Sequence, residues 1–245
     1  MGEGAKSKPG SVTELSVVLP AYNEEANIER VVRRVSEYLR ARDLRHEILV
    51  VDDGSTDATG RILEELAREI PELRPLHHPS NRGYGAALRT GFEAARMKFV
   101  FYMDGDGQFD IGDLDRLLPL AGDEDRIVTG YRLERRDPFV RKLNAFLFGR
   151  VLVRLLLGVR VRDLNCAFKL IPRKVLESVR LESTGALINA ELYGRAIRKG
   201  FGIEEVGVHH YPREAGEQTG AHLRVILRAF YDLFRLWRRI VTEGR

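Results

Sequence analysis

Cysteine is almost missing from this sequence: Cys166 is the only one in 245 residues. A lone thiol excludes an intrachain disulfide and a cysteine metal cluster, and it reads as a small buried apolar residue. Long hydrophobic runs are missing too. No stretch of about 18 uncharged apolar residues occurs, so no transmembrane helix is expected. Neither charge dominates: 40 Lys and Arg face 36 Asp and Glu, a net charge of +4. The acids are interspersed, so no nucleic-acid partner is expected. An anionic small molecule or an anionic membrane surface suits this mild basicity. The opening "MGEGAKSKPGS" has no apolar core for a signal peptide, and Lys6 stands where a myristoylation site needs Ser or Thr. Residues 1–13 read as a disordered tail, and a cytoplasmic location is expected. There are no repeats and, beyond that tail, no low-complexity segment.

What is present is a chain with 44% hydrophobic and 31% charged residues, enough to bury a core in one large α/β domain. "LSVVLP" (15–20) is a short β-branched run. Ile28, Val31, Val32, Val35 and Leu39 then recur at helical spacing. "HEILVVDDGSTD", "DATGRILEELAREI", "LRPLHH", "NRGYGAALRTGFEAAR" and "KFVFYMD" continue as strand, helix, weak strand, Gly-started helix and strand. This alternation implies a parallel sheet covered on both faces, with its ligand beyond the carboxyl ends of the strands. Polar clusters stand at three of those ends: "YNEE", "DDGSTD" and "DGDGQFD".

Asp104 and Asp106 sit one residue apart on a Gly-spaced turn, with Gln108 at the next alternate position. Two such carboxylates can reach one hard cation, and Mg²⁺ binds through one or two carboxylates plus substrate phosphates. No His or Cys accompanies them, which argues against zinc. Asp110 can cap the helix that starts near Asp113. Asp53 can accept from a base N–H or a ribose hydroxyl, whereas Asp57 reads as a helix cap. Gly83 and Gly85 match neither phosphate-loop spacing, and read as glycines that let a helix pack closely beside the site. The pairs His77–His78 and His209–His210 lack helical metal spacing and read as structural.

Two helical stretches are amphipathic. In the last, Arg224, Arg228, Arg235, Arg238 and Arg239 share one arc. Leu223, Ile226, Leu227, Phe230, Leu233, Phe234, Trp237 and Ile240 fill the other. Such a helix suits a lipid headgroup layer, its own domain or a homodimer partner. Residues 139–157 are similar, with Arg150 and Arg154 one turn apart beside Phe146, Leu147 and Leu152, an arrangement that suits a lipid phosphate and its tail or a core helix with snorkelling arginines.

"VVLPAYNEEANI", "VVDDGSTDAT", "NRGYGAALRTG", "DGDGQFD", "DLNCAFKLIPR" and "HYPREAGEQTG", in this order, resemble a family 2 glycosyltransferase of the GT-A fold. In particular they resemble the branch of dolichyl- and polyprenyl-phosphate mannosyl- or glucosyltransferases. The resemblance covers residues 14–220, with 221–245 as a basic amphipathic C-terminal helix. It implies a Rossmann-like, mixed, mainly parallel sheet with helices on both faces. It also implies a metal-dependent, inverting transfer of a hexose from a GDP-mannose or UDP-glucose type donor to a polyprenyl phosphate, with the protein peripheral on the inner membrane face. Pro20, Tyr22, Glu24, Val51 and Asp53 would contact the nucleotide. Asp104 and Asp106, with Gln108, would hold Mg²⁺ or Mn²⁺, and Gly105 between them would belong to the donor-binding set. Lys169 and Arg213 would face phosphates, and Arg132 would lie near those of donor and acceptor. "NCAFK" departs from the commoner "TSGFR" of the family, so the acceptor side differs. Were the acceptor a hydroxyl on a sugar, natural product or peptide, Glu191 or Asp163 would be the candidate base. A non-catalytic nucleotide-sugar-binding subunit and a nucleotidyltransferase are the other classes. The intact acidic turn argues against the first, and "AYNEE" in place of a Gly-rich basic loop argues against the second.

Overall fold

Strands β1 (Glu14–Ala21), β2 (Arg45–Asp52), β3 (Leu73–His77) and β4 (Phe99–Met103) lie in the order β3-β2-β1-β4, all parallel. Leu15, Val17, Val18 and Leu19 of β1 and Ile48 to Val51 of β2 are fully buried although consecutive residues point to opposite faces. Only a sheet covered on both sides accommodates such strands. Helices α1 (Ile28–Arg40), α2 (Thr59–Glu69) and α3 (Tyr84–Ala94) supply the cover. The apolar stripe of α1, from Ile28 to Leu39, is buried at every expected position. Each of those side chains contributes about 1.5–3 kcal/mol by leaving water.

The computed structural model describes residues 12–122, 124–133, 152–212 and 223–242. In the second half, β5 (Arg126–Arg132), β6 (Phe168–Pro172) and β7 (Gly202–Val208) complete a seven-stranded sheet of order β3-β2-β1-β4-β6-β5-β7. β6 runs antiparallel to both β4 and β5, while β7 is parallel to β5. The sheet is therefore mixed and mainly parallel, as expected. Its remaining helices are α4 (Leu114–Leu117), α5 (Arg154–Leu157), α6 (Arg173–Ser178), α7 (Ile188–Arg198) and α8 (Leu223–Thr242). Of the 139–157 stretch, only its end, from Leu152 through α5, lies within the described residues.

Leu233, Leu236 and Ile240 of α8 are buried. Ile240 Cδ1 reaches to 3.5 Å of where a side chain on Gly194 of α7 would begin. This part of the apolar arc packs on its own domain. Phe234 stays 49% exposed, and Arg235, Arg238 and Arg239 face outward. Among the described residues no helix is long and apolar enough to cross a membrane.

Candidate active site

A parallel sheet has a natural crevice where the chain leaves β1 in one direction and β4 in the other. Here it is a cleft of about 630 Å³. Pro20 to Glu24 line it from the end of β1, Asp53 from β2, and Asp104 to Asp106 from β4. Asn81, Gly83 and Tyr84 add the wall that opens α3. The three polar clusters read from the sequence thus meet in one place.

Hydrogen bonds between loops fix this rim. Asn23 donates its backbone N–H to Ser55 Oγ (2.9 Å) and accepts from the N–H of Thr56 (2.8 Å). Glu25 Oε2 accepts from the N–H of Ala58, and Asp57 Oδ2 accepts from that of Glu25. Asp57 Oδ1 also accepts from Thr59 N–H at the start of α2, from one residue before the N-cap, Ala58, rather than as the cap expected of it. Glu24 is buried, with Oε2 accepting from Asn27 Nδ2 at 2.9 Å. Asp53 organises the opposite wall: Oδ1 bonds His78 Nδ1 (2.6 Å) and accepts from Arg82 N–H, and Oδ2 accepts from Gly83 N–H (2.8 Å). His78 and His77 are structural, as expected; His77 bridges Asp52 and Glu64. Val51 is fully buried in β2, between Pro20 and Leu76 in register, and does not line the cleft.

The acidic turn is the most unusual part. Asp104 Oδ1 is buried without a hydrogen-bond partner. Burial, and then repulsion from Asp106, raises the Asp104 carboxyl to about 7, against a hydrogen bond from the Tyr84 hydroxyl and the pull of Lys169 and Arg132. A buried, unpaired acceptor beside a second carboxylate is costly unless a cation joins them. This donor set therefore fits a hard divalent ion. No group of three or more His, Cys, Asp or Glu that could hold a metal ion occurs among the described residues. Asp106 Oδ1 accepts from Gln108 N–H (3.0 Å), and Gln108 Nε2 donates to Tyr211 O (2.9 Å), so the turn is tied to the segment after β7. Gly105 N–H reaches Pro20 O at 3.3 Å. Asp110 caps the turn before α4 through Gly112 N–H (3.0 Å).

The residues expected behind the acidic turn are placed differently. Lys169 is fully buried in β6 and faces no open cleft. Its ammonium donates to Cys166 O and lies over the rings of Tyr102 (5.0 Å) and Tyr193 (5.5 Å). Desolvation lowers it to about 8, opposed by Cys166, Asp163 and Asp104. Every residue of β6 is buried between two neighbouring strands, so Lys169, expected to face a phosphate, is enclosed here. Arg132 holds Asp163 in a two-point pair (2.6 and 3.0 Å), which engages both oxygens of that candidate base. Glu191 is likewise fully buried and engaged, by the backbone of 182–183 and by Arg195. Neither carboxylate is placed as a free base. Cys166 is buried, and its thiol is pushed up to about 12 chiefly by burial, matching the inert residue expected. Arg213 lies outside the described residues.

The reading from sequence missed Tyr84 and Asn23. Tyr84 stands between two glycines of a motif already singled out, and that was the available signal. Asn23 gave none, because its partners are 32 and 33 residues away.

With this geometry in view, the comparisons with known proteins are specific. Glycosyltransferase AglD of Haloferax volcanii is 33% identical over 258 residues, covering 100% of this chain and 41% of that protein. Polyprenol monophosphomannose synthase of Mycolicibacterium smegmatis is 32% identical over 239 residues, 91% of this chain and 88% of that one. The chain thus spans less than half of the first relative and most of the second. Glucosyl-3-phosphoglycerate synthase from Mycobacterium tuberculosis, solved with Mn²⁺, uridine diphosphate and its product, superposes with a TM-score of 0.60 at 23% identity, over 95% of this chain and 78% of that one. That likeness shows a shared fold. The family model for Glycosyl transferase family 2 matches residues 16–180, from within β1 to just past α6, and so takes in all three strand ends of the cleft. The chain belongs to glycosyl transferase family 2.

Proposed function

We propose that this protein transfers a hexose from a nucleotide sugar to a polyprenyl phosphate, with Mg²⁺ or Mn²⁺ held by Asp104 and Asp106. The observation that carries the reading is the buried, unpartnered Asp104 Oδ1 beside Asp106 in a cleft built from three strand ends. Bound there, a divalent cation would neutralise charge developing on the leaving diphosphate. Tyr22, Glu24 and Asp53 would orient the nucleoside end. Gln108, anchored to Tyr211 O, would keep the acidic turn in place. Arg213 would face donor phosphate. Arg132, held by Asp163, would lie near the phosphates of donor and acceptor.

The acceptor follows from the engaged carboxylates. A hydroxyl needs a base to take its proton, and both candidates, Asp163 and Glu191, already hold other groups. A phosphate acceptor is anionic and needs none. The synthase named above covers nearly the same length and, by its name, makes polyprenol monophosphomannose. The outward arginines of α8 and the exposed Phe234 would meet the headgroup layer, with the protein peripheral on the inner face.

The test is direct. The full chain is incubated with GDP-mannose, UDP-glucose and related donors, with Mn²⁺ and a short-chain polyprenyl phosphate. The expected product is a glycosylated lipid phosphate formed from one donor class and abolished by EDTA. Transfer only to hydroxyl acceptors, or undiminished transfer in EDTA, would overturn the reading.

A further inference from the structure

Among the described residues Glu191 is the most completely buried acid in the second half of the chain, and no part of the transfer proposed above uses it. Its two oxygens divide their work. Oε1 accepts from Arg195 Nε (3.0 Å), one turn along α7. Oε2 accepts from two consecutive backbone N–H groups, Glu182 (3.0 Å) and Ser183 (2.8 Å). A carboxylate that gathers adjacent amides fixes the path of the chain there, and its loss would leave both donors unsatisfied.

That path leads to the cleft. Thr184 O accepts the N–H of Gly85 at 2.7 Å. A side chain on Gly83 would start 2.6 Å from Thr184 O, and one on Gly85 would start 2.5 Å from Ser183 O. The backbone of 183–185 therefore lies against the first turn of α3 with no room between them. Tyr84 is held between those two glycines. It lines the same cleft as Asp104. On the outer side, Arg239 of α8 pairs with Glu182 at 2.8 Å, steadying the same segment.

We infer that Glu191 is a positioning residue for the acidic turn, acting through segment 182–185 and the start of α3 to set Tyr84 against Asp104. The inference deepens the proposed function and rests on it for its ligand arm alone. Glu191 touches no reacting atom, and its role is to keep one wall of the cleft in register with the carboxylates.

The experiment uses the full chain as wild type, Glu191→Ala, Glu191→Gln and Leu192→Ala. The last removes core packing from the same helix, where Leu192 is 1% exposed, without touching 182–185 hydrogen bonds. Amide hydrogen exchange is followed across 82–88 without ligand, and Mn²⁺ with UDP or GDP is titrated by calorimetry. In Glu191→Ala, exchange over 82–88 should quicken about tenfold as the wall opens locally. The dissociation constant for the metal nucleotide should rise by about the same factor. Glu191→Gln keeps an acceptor for the two amides and should fall between. Leu192→Ala should lose comparable stability yet leave 82–88 and the titration near wild type. Exchange in both Glu191 variants no faster than in Leu192→Ala would overturn the inference. If Glu191→Ala does not fold, wild-type exchange in Glu191→Gln alone does so. Should the wild type bind neither nucleotide, the donor reading fails, and the exchange arm still decides the role of Glu191.

Discussion

The two sides of the sheet treat charge in opposite ways. On the β3-β2-β1-β4 side, acids stand at strand ends and face a cleft, and one of them, Asp104, keeps a buried oxygen without a partner. On the β6-β5-β7 side, charged groups are enclosed or paired: Lys169 on Cys166 O and over the Tyr102 ring, Arg132 on Asp163, Arg195 on Glu191. The first arrangement is unfinished without a ligand, and the second is satisfied by itself. In the cleft, Asp104 is marked by the bond it lacks.

The largest effect should come from the unfinished side. Asp104→Asn or Asp106→Asn should lower metal-dependent transfer about a thousandfold, since the cation supplies several kcal/mol of charge stabilisation. The metal-free melting temperature of Asp104→Asn should hold or rise, because a neutral amide removes a carboxylate that burial already disfavours. A variant that unfolds, or that transfers sugar at the wild-type rate, would break the comparison.

Lys169→Ala should do the reverse. Truncating this buried side chain opens a cavity and removes a positive charge that favours the Asp104 carboxylate, so stability in urea denaturation should fall by about 3 kcal/mol. An unchanged midpoint would mean that Lys169 serves the ligand rather than the fold.

The smallest effect sharpens the contrast through pH. The Asp104 carboxyl is raised to about 7, so a proton competes with the cation below that value. Affinity for Mn²⁺ with nucleotide should fall by up to about tenfold per pH unit as the pH drops below 7, and level off above it. The same group makes the metal-free fold less stable as pH rises from the ordinary carboxylate range to 7, because the folded state holds the proton more tightly than the unfolded chain does. Calorimetric titrations and thermal melts between pH 5 and 8 would read both trends, and a flat affinity would place the metal elsewhere.

How far the sequence was legible follows the same division. The parallel side was readable because each strand is followed at once by its own polar loop, so "YNEE", "DDGSTD" and "DGDGQFD" arrive at one end of the sheet by construction. The apolar stripe of α1 was readable for the same local reason. Lys169 was not, because its surroundings depend on β6 inserting between β4 and β5, where its register partners Tyr102 and Thr129 stand 67 and 40 residues before it in the chain. Glu191 and Asp163 read as candidate bases for want of visible partners. Arg132 lies 31 residues from Asp163, and the amides of 182 and 183 carry no side-chain signature. The glycines of "NRGYGAALRTG" were read correctly as a device for close packing, but what packs on them, the 183–185 backbone, is a hundred residues downstream.

The central claim is that Asp104 and Asp106 hold a divalent cation together with the donor diphosphate in the cleft. Anomalous diffraction from crystals grown with Mn²⁺ and the preferred nucleoside diphosphate tests it most directly. The account expects one manganese peak in contact with both carboxylates and with diphosphate oxygens. A nucleotide bound in the cleft with no manganese at either carboxylate, or manganese bound only elsewhere, would contradict it.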